Sequence, residues 1–374
     1  MKQFLYSYAT GSDPRELVNT CLAQMGDIPD DATLGILYLT DALAREAEHL
    51  LHLLEHATGI TQWIGTVGMA VAATNIEIYD QPAMAVMVAD IPTDNFRLIP
   101  TQMEKSADFL ADNEDWIQAH HPTFGILHGD PTNPATPDLI TELSTKLGEG
   151  FFVGGLTSSQ SLQTQISDGG TTTGGISGLM LSSKETVLAS HTQGCTPIGP
   201  LHTITESSSN VISRLDDKSA LEVLKEDVGE VLARDLNRLG GYVFAGLPIQ
   251  GSDTGDYTVR TLIGIDMNAE KIAIGDLMEQ GSQMMFCRRD GNTASQDMLS
   301  MLETLKSRSE GKTIRGGVYY SCLGRGRHQF GEESEELKMI TEVLGEFPLV
   351  GFFANGEIFH NRLYGFTGVL NLFV

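Results

Sequence analysis

The chain has 374 residues, 41% of them hydrophobic and 20% charged, which is the composition of a globular protein too long for one hydrophobic core. Its formal net charge is −25, from 24 Lys and Arg against 49 Asp and Glu. Nucleic-acid binding rests largely on cationic side chains that neutralise phosphates, so this charge argues against a nucleic-acid partner. The four cysteines have neither CxxC spacing nor the density of a disulfide framework, and we expect reduced thiols.

Two features of the sequence bear on location. Residues 1–17 lack the apolar core of a signal peptide, and no run approaches the ~18 apolar residues that cross a membrane. We therefore expect a cytoplasmic protein that does not associate with a membrane.

Hydrophobic periodicity predicts four segments with a common order: a strand, an amphipathic helix, a strand with a Gly-rich turn, and further strands. The predicted elements are strands at 34–40, 62–73, 82–91, 123–130, 151–160, 174–183, 186–190, 241–249, 257–266, 282–290, 316–326, 348–359 and 363–373, with helices at 42–57, from 136, at 219–238 and at 332–345. Strands that follow one another after a helix predict an α/β (α+β) fold with mixed, largely antiparallel sheets covered by helices.

Paired glycines recur at a similar distance in three of the four segments. The pairs are Gly35 and Gly65, 30 positions apart, Gly125 and Gly154, 29 apart, and Gly317 and Gly351, 34 apart. Internal repetition and the ordinary spacing of any α/β protein are both compatible with this. Two segments in each half predict two related domains, and the polar stretch at 200–218 places them at residues 1–210 and 211–374.

Two short motifs suggest chemistry but have weak support. His52 to His56 reads HLLEH, the pattern of inverted zinc peptidases, with His49 one turn earlier. The apolar stripe and polar flanks of this helix already explain the sequence, so we predict no metal site. Neither a GxxxxGK[ST] motif nor a GxGxxG opening a helix occurs, so we predict no cofactor.

The C-terminal residues carry the most specific pattern. YYSCLGRGRHQFG (319–331), PLVGFFANGEI (348–358) and YGFTGVLNLF (364–373) resemble the signature of the FIST C-terminal domain, and the strands at 257–266 and 281–290 resemble its earlier part. Residues 10–18, 154–159 and 194–199 are similar to the FIST N-terminal domain. One departure concerns Gly65 to Val71, where the small polar positions of that family's first Gly-rich turn are partly lost.

The resemblance implies an intracellular sensory protein in signal transduction that binds a small molecule such as an amino acid. Relatives are often fused to signalling modules, and no such output segment can be recognised here. A partner protein would then receive the signal. Neither the ligand nor this partner can be named from the sequence.

The residues themselves suggest how a ligand would be held. Glycines beside Cys322 let the backbone approach a ligand, Arg325 offers a planar fork for a carboxylate, and Glu357 offers a carboxylate for an ammonium group. We therefore predict a site for a zwitterion. Its predicted residues are Cys322, Arg325, Gly326, Gly351, Phe352, Asn355, Gly356 and Glu357, with Arg260 as a second cation.

Three alternatives stay open at this point. Arg325 and Glu357 can form a structural ion pair with each other at the strand ends. Cys322 can act as a thiolate nucleophile in a hydrolase or transferase, although the sequence shows no base held by a third group. The chain can also be a scaffold without a ligand.

Overall fold

The computed structural model of the protein describes residues 3–147, 150–167, 169–233, 239–249 and 257–374. The chain divides into two compact units, of which the first comprises Met1–Thr192 and Met298–Val374 and the second comprises Gln193–Asp297. The second unit therefore interrupts the first in sequence. The predicted α/β class with mixed, largely antiparallel sheets is confirmed.

The elements follow in chain order. Before the second unit they are β1 (Leu5–Thr10), α1 (Pro14–Met25), β2 (Leu34–Thr40), α2 (Ala47–Thr58), β3 (Gln62–Gly68), β4 (Ala70–Ala73), β5 (Ile76–Tyr79), β6 (Ala83–Ala89), β7 (Phe96–Gln102), α3 (Ala107–Asp112), α4 (Glu114–His120), β8 (Phe124–Gly129), α5 (Thr136–Lys146), β9 (Phe151–Leu156), β10 (Gln165–Ser167), β11 (Gly170–Thr172), β12 (Ile176–Leu181) and β13 (Val187–Gln193). The second unit contains β14 (Cys195–Pro197), β15 (His202–Ser208), β16 (Val211–Leu215), β17 (Lys218–Ser219), α6 (Ala220–Ala233), β18 (Val243–Pro248), β19 (Tyr257–Asp266), β20 (Lys271–Ile274) and β21 (Gln283–Arg289). The remaining elements are α7 (Gly291–Arg308), β22 (Gly316–Cys322), α8 (Glu335–Leu344), β23 (Leu349–Ala354), β24 (Glu357–His360), β25 (Arg362–Tyr364) and β26 (Thr367–Phe373).

The first unit contains three copies of one arrangement. In each copy a strand (β2, β8 or β22) pairs in parallel with the strand after its helix (β3, β9 or β23). The same first strand pairs antiparallel with the last strand of its copy (β6, β12 or β26). A further strand, β1, β7 or β13, pairs with this last strand and forms one edge of the sheet. The glycine spacing therefore reflects true repetition.

The copies exchange hairpins in a closed cycle. The hairpin β4–β5 of the first copy joins the third sheet through β23, and the hairpin β10–β11 of the second copy joins the first sheet through β3. The hairpin β24–β25 of the third copy joins the second sheet through β9. Each six-stranded sheet thus contains strands from two copies.

The prediction that residues 219–290 form a further copy is wrong. These residues lie in the second unit, where β18, β19, β20 and β21 pair only antiparallel within the described residues. The polar stretch at 200–218 forms β15 to β17 there. Residues 234–238 of the predicted helix lie outside the described residues. The division at residues 210 and 211 stays a prediction.

One apolar cluster joins the inner faces of the three sheets of the first unit. It contains Ile36, Ile126 and Val318, which hold the same position in the three copies. The outer faces pack on helices in three separate clusters, with α1 and α2 on the first sheet, α5 on the second, and α7 and α8 on the third. Each sheet is consequently buried on both faces, which explains why its strands read as continuous apolar runs.

The second glycine of each pair lies where two strands approach too closely for a side chain. A Cβ atom on Gly65, Gly154 or Gly351 would lie 1.8, 1.8 or 1.9 Å from a carbonyl oxygen of the neighbouring parallel strand. No rotamer relieves such a clash, because the backbone fixes the position of the Cβ atom and the carbonyl oxygen is itself a backbone atom. Gly351 is therefore required by the fold, whatever its relation to a ligand.

Gly351→Ala is expected to lower the stability of the first unit by more than about 3 kcal/mol, because one strand must shift away from the other. Thermal unfolding followed by circular dichroism measures this. Gly170→Ala is the matched control, since Gly170 also lies in a strand of the first unit, β11, and has open space around its Cβ position. A change of about 1 kcal/mol or less in both variants would contradict the close-approach argument.

The second unit is a closed antiparallel barrel. β15 pairs with β16, β16 with β20, β20 with β19, β19 with β18, β18 with β21, and β21 returns to β15. Its core includes Ile212, Ile272 and Phe286 together with Leu221 and Leu224 of α6. The helix packs against the apolar residues of the barrel.

Candidate functional site

The predicted site residues of the first unit cluster at the carboxyl ends of a parallel strand pair. Cys322 ends β22 opposite Ala354, which ends β23, and Asn355 and Gly356 form the turn into β24, which begins at Glu357. Cys322 and Gly356 are partly exposed and Asn355 is exposed, whereas Glu357 is buried. The crevice beyond the carboxyl ends of parallel strands is where α/β sheets commonly bind ligands.

Arg325 forms a buried ion pair with Glu336 of α8. Its Nε lies 2.7 Å from Glu336 Oε1, and both side chains are 0% exposed. The Glu336 carboxylate also accepts hydrogen bonds from Tyr319 Oη, Ser321 Oγ and the backbone N–H of Gly326, at 2.7, 2.9 and 2.8 Å. Arg325 therefore pairs with Glu336, and not with Glu357 as in the alternative of a structural ion pair between those two residues.

The rest of the Arg325 guanidinium is only partly engaged. Nη2 lies 3.9 Å from the sulfur of Met298, and the guanidinium carbon lies 4.9 Å from the centre of the Phe330 ring. Nη1 is buried and has no hydrogen-bond partner among the described residues. One N–H edge of Arg325 is thus left to bind an acceptor.

Glu357 is the second buried ionisable residue of the site. Its Oε2 accepts hydrogen bonds from the Thr367 hydroxyl at 2.7 Å and the Thr367 N–H at 3.2 Å. Its Oε1 is buried and has no partner among the described residues. Desolvation raises the pKa of Glu357 to about 8, although Thr367, Arg325 and Cys322 all act to lower it. Glu357 is therefore largely protonated at neutral pH.

An internal comparison shows that the fold does not impose this unpartnered oxygen. Gln165 holds the position in the hairpin β10–β11 that Glu357 holds in β24–β25, since each pairs with the residue after a close-approach glycine. Gln165 is also 0% exposed, but its Nε2 donates to Gly175 O at 2.6 Å and its Oε1 accepts from Ser177 Oγ at 2.9 Å. Of these two described side chains, Glu357 therefore has a polar atom without a hydrogen-bond partner, whereas both polar atoms of Gln165 have one.

The glycines and the phenylalanine of the predicted site serve the fold. Gly326 has a φ of 53°, and a Cβ atom there would lie 2.0 Å from Tyr79 Oη. Phe352 is 0% exposed, and its ring centre lies 5.1 Å from that of Tyr38 and 5.8 Å from that of Tyr320. The burial of Phe352 does not support its inclusion among the predicted site residues.

Arg260 belongs to the second unit. It lies in β19, and its Nε is 2.7 Å from Asp276 Oδ2. The structure explains this arginine as one partner of a partly exposed ion pair.

Cys322 lacks the electrostatics of an activated nucleophile. Burial raises the pKa of its thiol above the usual range, and the neighbouring Glu357 carboxylate raises it further, while Arg325 lowers it less. A thiolate is disfavoured there, so the structure does not support the enzyme alternative.

We expect Cys322 to react at least about tenfold more slowly with iodoacetamide at pH 7.5 than free cysteine does, because its thiolate fraction is small. Cys21, Cys195 and Cys287 are buried and are expected to be slower still. Mass spectrometry of the alkylated protein measures the rates, with Cys322→Ser as the control. Rapid labelling of one thiol, lost in that variant, would contradict the raised pKa.

A polar aromatic triad lies one layer below the strand ends and was missed by the sequence analysis. Tyr38, His128 and Tyr320 each follow the first glycine of their copy by three residues, and all are 0% exposed. Tyr38 Oη lies 3.1 Å from His128 Nε2 and 3.3 Å from Tyr320 Oη. Burial lowers the pKa of His128 to about 3, so the imidazole is neutral. Aligning the three copies by their glycines would have revealed this triad.

Glu336 and Thr367 were missed for different reasons. Glu336 precedes Ile340 by four residues and thus lies on the apolar face of α8, a signal of a buried and paired carboxylate. Thr367 is indistinguishable from an ordinary strand residue, and only the chain reversal through β24 and β25 brings it to Glu357.

The HLLEH motif lies on an exposed face of α2. His49 and His52 have side chains 52% and 57% exposed, and His52 Nδ1 lies 3.1 Å from Glu55. Within the described ranges, no group of three or more His, Cys, Asp or Glu residues is arranged to hold a metal ion. None of the helices in the described part of the chain is long and apolar enough to cross a membrane.

Comparison with known protein families identifies the family of the chain. The model of the FIST N domain matches residues 33–218, and that of the FIST C domain matches residues 220–360. The chain belongs to the FIST family, whose domains are associated with sensory roles in signal transduction. The family predicted from the C-terminal motifs is thereby confirmed.

Particular relatives come from mycobacteria. The uncharacterized protein Rv0628c of Mycobacterium tuberculosis (strain ATCC 25618 / H37Rv) is 30% identical over 356 residues, which cover 91% of each chain. The uncharacterized protein Mb0898c of Mycobacterium bovis (strain ATCC BAA-935 / AF2122/97) is 29% identical over 363 residues, covering 93% of this chain and 92% of that protein. The similarity thus extends over nearly the whole length of the chain.

Proposed function

We propose that the protein is a cytoplasmic sensor that binds a free amino acid at the strand ends of β22 and β23 and passes the signal to a partner protein. The observation that carries this proposal is a pair of complementary buried atoms without partners, Nη1 of Arg325 and Oε1 of Glu357. A buried polar atom without a hydrogen bond is unfavourable, so a ligand that satisfies both atoms gains that free energy on binding.

The chemistry of these two atoms selects a zwitterion. Nη1 donates hydrogen bonds and belongs to a permanently charged guanidinium, so it suits a carboxylate. Oε1 suits an ammonium group once Glu357 has lost its proton. Arg325 attracts the Glu357 carboxylate and thereby lowers the pKa of Glu357, although desolvation, which raises this pKa, is the larger effect. Cys322, Asn355 and Gly356 form the partly exposed rim through which the ligand enters.

The test is calorimetric titration with the standard amino acids at pH 8, with thermal shift as the first screen. A ligand at one hundred times its Kd is expected to stabilise the protein by about 2.7 kcal/mol. Glu357→Gln keeps the shape and the acceptor for Thr367 but removes the charge, and it is expected to weaken binding at least about tenfold. The decarboxylated and deaminated counterparts of the ligand are expected to bind more weakly than the amino acid.

Glu342→Gln is the matched control, because Glu342 is an exposed residue of α8. It should bind the ligand as the unmodified protein does. Failure of every amino acid to bind would overturn the proposal and favour a scaffold. Binding that survives Glu357→Gln would place the ligand elsewhere.

A further inference from the structure

The barrel of the second unit has a cavity at one mouth. This cavity measures about 550 Å³ and lies between the start of β15, the end of β18, the start of β21 and the turn before β21. Small-molecule sites commonly measure roughly 300–1,000 Å³ and often occupy the mouths of β-barrels. The cavity therefore has the size and the place of a ligand site.

The wall of this cavity is held by hydrogen bonds to the barrel. In the turn before β21, the N–H of Met278 donates to Ser209 O and the N–H of Gly281 donates to Ile204 O, both at 2.8 Å. The carbonyl of Met278 accepts from Ser207 Oγ at 2.6 Å. A wall fixed at three points is pre-organised, which reduces the entropy lost when a ligand binds.

The floor of the cavity is apolar. Ile204 and Met278 are 1% and 6% exposed and belong to the barrel core, and Leu247 packs against the same core. At the rim, Leu277 is 71% exposed, which is unusual for a large aliphatic side chain held on a fixed turn. An apolar ligand body in the cavity would remove part of this side chain from water.

The charge of the rim restricts the ligand further. Among the described residues that line the cavity, Glu279 is the one that carries a charge, and Ser282 and Gln283 add neutral polar groups. The described lining residues include no Lys or Arg and so give a phosphate or a carboxylate no counter-charge, whereas Glu279 attracts a cation. We propose that this barrel mouth binds a small amphiphilic amine, with the apolar body on Ile204 and Met278 and the ammonium group at Glu279. This site shares no residue with the amino-acid site proposed above.

The test uses 3-phenylpropylamine as the probe and 3-phenylpropanoate as its counterpart of opposite charge. The full-length protein is labelled with ¹³C at the methionine methyl groups, and the Met278 signal is assigned with Met278→Leu. We expect the amine to shift the Met278 signal in a saturable way and to bind at least about tenfold more tightly than the carboxylate. Glu279→Gln is expected to weaken amine binding about three- to fivefold, and Leu277→Ser is expected to weaken it as well.

Glu303→Gln and Leu299→Ser are the matched controls, since both residues are exposed on α7 and neither lines the cavity. Glu357→Gln should leave amine binding unchanged, which separates this site from the proposed amino-acid site. The proposal is overturned if the Met278 signal stays unchanged at 10 mM amine, on the order of the weakest affinity expected for such a fragment. It is also overturned if the carboxylate binds as well as the amine, or if the control variants weaken binding equally.

Discussion

Replacement of Arg325 by alanine is expected to destabilise the first unit by about 3–5 kcal/mol, because it removes one partner of a buried ion pair and leaves the charge of Glu336 uncompensated. Both groups are 0% exposed, so water cannot replace the lost guanidinium without opening the core. Urea unfolding followed by tryptophan fluorescence measures the loss, since Trp63 and Trp116 both lie in the first unit.

Removing both charges is the control for this prediction. The double variant Arg325→Met, Glu336→Gln leaves no isolated charge and keeps most of the buried volume, so it is expected to recover at least about half of the loss. A single Arg325→Ala variant within about 1 kcal/mol of the unmodified protein would show that the pair is solvated, contrary to the structure. Arg325→Ala alone is accordingly a poor test of ligand binding, whereas Glu357→Gln is a clean one.

Amino-acid affinity is expected to rise about tenfold per pH unit from pH 6 to pH 7.5 and to level off above pH 8. The raised pKa of Glu357, about 8, means that the free protein holds a proton that an ammonium group must displace. Below that pKa only the small deprotonated fraction binds, so raising the pH strengthens binding. Calorimetry at pH 6.5 in buffers of different ionisation enthalpy should show about one proton released per ligand bound.

Glu77 provides the control for this pH dependence. Desolvation and the nearby Glu336 raise the pKa of Glu77 to about 8 as well, yet its carboxylate is hydrogen-bonded to Tyr79 rather than to Thr367. Glu77→Gln should therefore keep the pH slope, and Glu357→Gln should abolish it. An affinity independent of pH in the unmodified protein would mean that Glu357 does not bind the ammonium group.

Local patterns predicted many of the elements and the family. The strand at 34–40 lies where expected, and the helix expected at 332–345 forms as α8, because apolar periodicity determines both. The sequence did not show that residues 219–290 differ from the three copies, because they also follow the order of a helix and then several strands. Each copy in the first unit has one parallel strand pair, whereas the described strands of the second unit pair only antiparallel.

The candidate site shows the same limit. Cys322 and Glu357 lie close together, because the ends of adjacent parallel strands meet at one edge of a sheet, and their binding of a ligand stays a prediction. Glu357 was the only carboxylate considered as an ion-pair partner of Arg325, and Glu336 was missed because its pairing depends on which face of α8 is buried. Pairings set by tertiary packing leave little trace in a single sequence.

The cyclic exchange of hairpins has a consequence for synthesis on the ribosome. Val71 of β4 cannot pair until Phe352 of β23, about 280 positions later in the chain, has been synthesised. The first sheet is complete once β11 has been made, but the second needs β24 and β25 and the third needs β22, β23 and β26. Nascent chains therefore expose unpaired strand edges until these strands have been made, and products that terminate before β22 should depend on chaperones or be degraded.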